Sequence, residues 1–305
     1  MNKKDRLILV DGSAYIFRAY YGLPPMNRAD GTPINAVFGF TNMLVKLIED
    51  YGDDKMIVIF DAARANFRNE IYPEYKANRG EAPEDLIPQF PLIRECVKSF
   101  NIPQLEIEGF EADDLIATYV NLAEKDKIET IIVSSDKDLM QLVSKNVTML
   151  DPMKNKKIEI KDVKEKFGIY PENFCLVRSF VGDASDNIKG IKGAGFKSLV
   201  KRFPEINENS LIIEDLVKIA VEKSKSSKLK LYSEIAENPD VPIKNWKLMS
   251  LGYRNLSAFQ VEKINHGLEK KNDKRNKLNF IKEQGKIGII NFDVERFFMS
   301  TRNLG

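Results

Sequence analysis

Three short apolar runs constrain this chain most: residues 7–10 (LILV), 56–60 (MIVIF) and 130–133 (TIIV), each followed closely by an aspartate, Asp11, Asp61 and Asp136. Runs of this length, rich in β-branched residues and apolar on both faces, are strands that helices cover on both sides. Between them, residues 36–51 and 86–100 carry apolar stripes at helical spacing. Strands alternating with helices predict an α/β fold with a mainly parallel central sheet flanked by helices. Ligands of open α/β sheets bind in the crevice beyond the carboxyl ends of the strands. Three strands therefore deliver a carboxylate to one crevice.

More acids join them. Glu111, Asp113 and Asp114 open an apolar-periodic helix in GFEADDLIA, Asp136 and Asp138 form a D-x-D after the third run, and Asp183 and Asp186 stand three residues apart in GDASDN. Stabilising a helix dipole needs only one acid at the start of the helix; so dense a cluster repels itself and points to a cation. Ligation by oxygen alone suits Mg²⁺ or Mn²⁺ and disfavours zinc. The single histidine, His266, lies in a polar stretch near the C-terminus, so activation of an attacking water falls to the cations. Two ions roughly 3.5–4 Å apart can stabilise the attacking and leaving oxygens of an in-line displacement at phosphorus. Phosphodiester hydrolysis is the expected chemistry. Cys96 and Cys175 are too far apart in sequence for a C-x-x-C motif and read as buried free thiols.

Residues 62–84 are basic and aromatic, with almost no aliphatic core formers, and are expected to stand proud of the domain. Cations interleaved with Tyr and Phe suit single-stranded nucleic acid, through phosphate attraction and base stacking. A second segment, Gly190 to Leu199 (GIKGAGFKSL), predicts a helix, a tight glycine turn and a second helix that present N–H groups, Lys192 and Lys197 to a phosphate backbone. Organisation changes near residue 174: a core over 1–174 containing the segment 62–84, then a helical region over 175–305 with the two-helix motif at about 183–203 and a strand at 287–290. Residues 263–286 are basic and read equally well as a solvated helical face. Net charge is +2, which by itself does not suggest nucleic acid. Neither a signal peptide nor a span is visible at the N-terminus, so a cytoplasmic location is expected.

Taken together, LILVDGSAYIFRAYY, GFTNMLVKLI, VIFDAARANFRNEIYPEYKANR, GFEADDLIAT, SSDKDLMQLV and GDASDNIKGIKGAGFKSLVKRF resemble the 5′-to-3′ exonuclease and flap endonuclease family, which includes the 5′ nuclease domain of bacterial DNA polymerase I. The resemblance covers roughly residues 6–203. It implies a PIN-like 5′ nuclease fold with a helical arch and a C-terminal helix-hairpin-helix region. It also implies two Mg²⁺ ions, with Mn²⁺ as a substitute, held by Asp11, Asp61, Glu111, Asp113 and Asp114 in a first cluster and by Asp136, Asp138, Asp183 and Asp186 in a second. Lys76 and Arg68 are implied as catalytic, and with Arg79 they would steer the scissile phosphate. Arg64, Tyr72 and Tyr75 of the arch and Tyr20 would meet the strand. Gly190, Lys192, Gly193, Gly195 and Lys197 would grip the duplex, with K⁺ on main-chain carbonyls there. The implied partner is DNA with a 5′ flap, nick or gap, an RNA primer strand being compatible. The implied protein is a monomer of the bacterial cytoplasm, associated with the nucleoid.

Alternatives remain. A haloacid dehalogenase-type phosphatase needs an acid where Ser13 stands. A non-catalytic DNA-binding homologue would not need the full acid set, and a ribonuclease of the related toxin-like superfamily would lack the arch-like insertion. Beyond about Pro204 the resemblance stops, leaving both a stand-alone nuclease and a piece of a longer polymerase chain open.

Overall fold

The computed structural model describes residues 6–52, 54–62, 66–208, 211–252, 256–269 and 277–288. Side-chain alternation along the central strands decides where the core sits. Strands β1 (Arg6–Asp11), β2 (Lys55–Ile59), β3 (Gln104–Leu105), β4 (Glu129–Val133), β5 (Val147–Asp151) and β6 (Lys156–Ile158) form one sheet in the order β3-β2-β1-β4-β5-β6. All neighbours run parallel except β5 and β6. Leu7, Leu9, Ile57, Ile59 and Ile132 point into one apolar cluster, and Ile8, Val10, Met56, Val58, Ile131 and Val133 into the other. That two-sided burial is why the runs contain no polar alternation.

Helices α1 (Gly12–Gly22), α2 (Asn35–Tyr51) and α4 (Gln89–Ser99) belong to the second cluster and α5 (Ala112–Lys125) to the first. The short α3 (Phe67–Ile71) lies between α2 and α4. After α6 (Ile160–Phe167) come α7 (Phe174–Val181), a ribbon of β7 (Gly182–Asp183) and β8 (Ile188–Lys189), and then α8 (Phe196–Arg202) and α9 (Glu205–Glu208). The chain continues through α10 (Ile213–Ser226), α11 (Lys230–Glu237), α12 (Asp240–Met249), α13 (Ala258–Glu269) and α14 (Lys277–Ile287).

Three expectations are corrected. The basic aromatic segment is pinned by two buried side chains rather than standing wholly proud: Arg68 is 2% and Tyr75 6% exposed while 77–81 stay exposed, and the segment's described residues contain one five-residue helix followed by turns. The element joined directly to the glycine turn is the ribbon rather than a helix, because Gly182, at φ +79°, breaks α7 before Asp183. Ile287 ends α14 instead of starting a strand, and residues 289 and 290 lie outside the described residues. Near residue 174 strands give way to helices, yet packing is continuous: Leu7, Leu115, Val177, Leu199 and Ile235 share one cluster. Among the described residues no helix is long and apolar enough to cross a membrane.

Candidate active site

At the carboxyl end of the sheet the chain encloses a cleft of about 660 Å³. Its floor follows from the way each strand ends. Asp11 closes β1 and caps α1, its Oδ1 accepting the Ala14 N–H at 3.0 Å, while Ser134 Oγ, just past β4, donates to Oδ2 at 2.7 Å. Gly12 is required beside it, because a Cβ there would stand 2.5 Å from the Phe60 ring and 2.9 Å from the Ile59 carbonyl oxygen. Asp61 follows β2 and accepts the Ala112 N–H, at the start of α5, at 2.7 Å. Asp113 projects from the first turn of α5, and Asp136 and Asp138 follow β4. Asp183 ends β7 and Asp186 lies in the turn between β7 and β8, and Glu111 caps α5.

Eight carboxylates line this cleft against Arg68, Lys76, Arg79, Lys137 and Arg178, an excess of negative charge in a partly dry place. Burial, with repulsion from Asp61 and Asp136, pushes the Asp11 carboxyl up to about 7. Asp113 is pushed well above the usual range by burial and then by Asp136, Asp11 and Asp61. Burial lifts Asp138 to about 7 in spite of Arg178. Desolvated acids that repel one another fit a divalent cation, which would remove both penalties. Among the described residues these side chains do not form a ready-made ligand group of three or more.

A stability test follows from Asp11 and Asp138. Their folded values lie near 7, against 3.8 in an unfolded chain, so the folded form holds more protons between those limits. The stability they contribute is complete below about pH 4 and is lost as pH rises through about 7. With EDTA the melting temperature should fall from about pH 5 to about pH 8. At the higher pH, Mg²⁺ at ~100 times its Kd should restore about 4 °C, from ~2.7 kcal/mol of linkage. A melting temperature at about pH 8 indifferent to Mg²⁺ would remove the cation from these acids.

Several expected residues have other work. Asp114 is 3% exposed and turned from the cleft, both its oxygens gripped at 2.7 Å by the two Arg68 terminal nitrogens. Arg68 Nε donates to the Leu248 carbonyl at 2.7 Å, so this guanidinium anchors α3 to α5 and α12 and is not free to meet a phosphate. Tyr75 is buried, and its hydroxyl donates toward Glu111 and Asp186 at 3.1 Å each, which excludes stacking on bases. Tyr20 donates to Asp85 at 2.7 Å and does not line the cleft. The half-buried Tyr72 ring lies under the Lys244 ammonium, 4.5 Å from the ring centre. Gly190 serves the ribbon, since a Cβ there would collide with the Val181 carbonyl oxygen. Arg64 lies outside the described residues.

Other expected residues do converge. Lys76, at φ 56°, donates its ammonium to Glu111 at 2.6 Å and its N–H to the Asp186 carbonyl at 3.0 Å. Burial opposes the charge on Lys76, but Glu111 and Asp186 outweigh it and hold the ammonium above its usual value. Arg79 pairs with Asp186 and is 52% exposed. Lys192 and Gly193 are exposed on the turn and Lys197 is exposed in the first turn of α8, and the Gly195 N–H donates to Ser198 Oγ at 2.9 Å.

Two contributors escaped the sequence reading. Arg178 on α7 reaches Asp138 and Asp183; no motif in the sequence singles it out. Phe17, 41% exposed, lines the cleft from α1 four residues after Ser13 and three after Ala14, a spacing that shares a helix face and could have revealed it. Leu248, Met249 and Leu251, from the part of the chain with no readable resemblance, complete the wall.

A mainly parallel α/β sheet whose strand ends feed a carboxylate-rich cleft defines the class. The model of the 5′-3′ exonuclease N-terminal resolvase-like domain matches residues 6–168. A 5′-3′ exonuclease of Aquifex aeolicus is 33% identical over 277 residues, 85% of this chain and 96% of that one. The chain belongs to the 5′-3′ exonuclease family. The DNA polymerase I of Rhizobium leguminosarum is 49% identical over 227 residues, 72% of this chain, and this chain spans 22% of that protein's length. Among solved structures, the T5 5′-exonuclease with divalent metal ions (zinc) bound superposes with a TM-score of 0.65 at 22% identity, over 92% of this chain and 98% of that one. The catalytic core of Rad2 in complex with DNA substrate superposes with 0.56 at 15% identity, over 99% and 93%. At these identities the two share the fold.

Proposed function

We propose that this cleft hydrolyses phosphodiester bonds at 5′ ends of DNA, on flaps, nicks or gaps, in replication and repair. The observation that carries the reading is the set Asp11, Asp61, Asp113 and Asp136, brought together from three strand ends and a helix start and partly starved of water. The T5 relative's divalent ions and the Rad2 core's DNA support the same reading. Divalent cations, two Mg²⁺ or Mn²⁺ in their place, would be held by these four with Glu111, Asp138, Asp183 and Asp186. When bound, such ions supply Lewis-acid stabilisation of charge developing on the attacked phosphate.

The chain's own groups do the positioning. Lys76 and Arg79 bring positive charge to the rim where a phosphate would enter, and Phe17 offers an aromatic face in the same cleft for the neighbouring base. Lys192 and Lys197 lie where they would hold a duplex backbone without reading bases, and K⁺ on the turn's carbonyls would belong to that grip. A monomer acting in the bacterial cytoplasm, at the nucleoid, completes the proposal, with an RNA primer strand tolerated.

The deciding experiment offers the purified chain 5′-flap, nicked, gapped and single-stranded DNA, with Mg²⁺ or with EDTA. Mg²⁺-dependent release of products bearing 5′ phosphates is expected. Cleavage that persists in EDTA would overturn the cation reading, and tight binding without cleavage would select the non-catalytic homologue. Lys76→Ala is expected to slow cleavage at least ~10-fold more than it weakens duplex binding, since its ammonium acts at the reacting phosphate. Equal losses, compared by gel shift and single-turnover cleavage, would make Lys76 a docking residue.

A further inference from the structure

The charge in the cleft is divided unevenly. Among the described residues no Lys or Arg is ion-paired with Asp11, Asp61, Asp113 or Asp136, whereas every acid on the opposite side has one. Lys76 holds Glu111 at 2.6 Å, Arg79 holds Asp186, and Arg178 holds both Asp138, Nε to Oδ1 at 3.2 Å, and Asp183, NH2 to Oδ2 at 2.6 Å. These cations are not equivalent. Arg79 is 52% exposed on a turn, and Lys76, 26% exposed, reaches Glu111 from a turn residue with a flexible four-carbon stem. Arg178 is 19% exposed and stands on α7 between Val177 and Phe180, both fully buried. Asp183 cannot turn away from it, because its other oxygen accepts the Ser185 N–H at 2.9 Å and the Ser185 Oγ–H at 2.7 Å.

We infer that Arg178 is a positioning residue that acts as resident counterion for Asp138 and Asp183, so that the two cation places fill unequally and the second fills with substrate. An ion approaching the unpaired acids meets carboxylates that no described Lys or Arg pairs, Lys137 lining the cleft without an ion pair to them. One approaching Asp138 and Asp183 meets a fixed guanidinium that shares those oxygens, and like charges at such range in a partly dry cleft oppose each other strongly. A bound phosphate adds negative charge between the two and relieves that opposition. The acids are thereby kept in place and apart while DNA is absent. This inference rests on the cation-dependent nuclease reading above.

The test counts Mn²⁺ ions on the full chain by electron paramagnetic resonance of the free ion, without DNA. The wild-type chain should take one ion, and a second at least ~10-fold more weakly. Arg178→Gln, which removes the charge and keeps a hydrogen-bond donor, should tighten the second ion about tenfold, and Arg178→Lys should keep the wild-type pattern. A second-ion affinity unchanged or weakened in Arg178→Gln would overturn the inference while leaving the nuclease reading intact. Failure of the wild-type chain to bind even one ion would sink that reading instead. Should Arg178→Gln not fold, the wild-type chain decides. A 5′-phosphorylated oligonucleotide, its own Mn²⁺ uptake subtracted, should raise the count from one ion to two, and two ions of equal affinity without it would overturn the inference.

Discussion

Asp113→Asn should reduce Mg²⁺-dependent cleavage about 10³-fold while making the metal-free protein more stable. Losing one oxygen ligand weakens a cation whose Lewis acidity is worth several kcal/mol in the transition state, which converts to that factor. The stability change has the opposite sign because Asp113 is a liability without a cation: burial raises it first, and Asp136, Asp11 and Asp61 raise it further. An amide of the same shape removes the repulsion. The expected gain is ~1 kcal/mol, or about 1.5 °C in melting temperature for a chain of this size. Single-turnover cleavage and thermal melts in EDTA check the pair of effects. A variant that cleaves within about tenfold of wild type would move the cations away from Asp113. One that loses both cleavage and stability would make Asp113 a structural acid.

The second large effect concerns folding. Arg68→Met should destabilise the protein by about 3–5 kcal/mol, a drop of roughly 5–8 °C, because it strands a buried carboxylate. Asp114 has no other cation within reach among the described residues, and Leu248 loses the donor to its carbonyl. If the pair is structural, Arg68→Met combined with Asp114→Leu should recover about half of the loss, since two apolar side chains leave no unpaired charge. Melting curves of the two singles and the double decide it. An Arg68→Met chain as stable as wild type, but slow on DNA, would restore Arg68 to the phosphate-steering role that its position in a basic segment suggested.

That reversal shows where sequence reading loses its grip. Arg68, Tyr72, Tyr75 and Arg79 sit in one run that looks uniformly solvent-loving, and composition gave no reason to separate them. Tertiary contacts separate them completely. Arg68 is sealed by Asp114, 46 residues on, and Tyr75 by Glu111 and by Asp186, 111 residues on, while Arg79 stays half-exposed. Asp114 shows the same limit among the acids. It is next to Asp113, yet on a helix adjacent residues point about 100° apart, so one faces the cleft and the other the core. The glycine turn was recognisable from its residues. Its first glycine packs against Val181 for a ribbon that no periodicity announced, because two-residue strands carry none.

What could be read residue by residue was local. Apolar runs with no polar alternation demand burial on both faces, hence a parallel sheet. An aspartate after such a run must emerge at a strand end, hence Asp11, Asp61 and Asp136 in one crevice. Oxygen-only acids without a histidine limit the chemistry to hard cations. Pairing was beyond that reach, because it depends on which side chains the folded chain brings within a few ångströms. The fold alone left Asp11, Asp61, Asp113 and Asp136 without a basic partner among the described residues, tied Asp138 and Asp183 to Arg178, and turned Asp114 inward. Charge is written in the sequence, but its compensation is a property of distance.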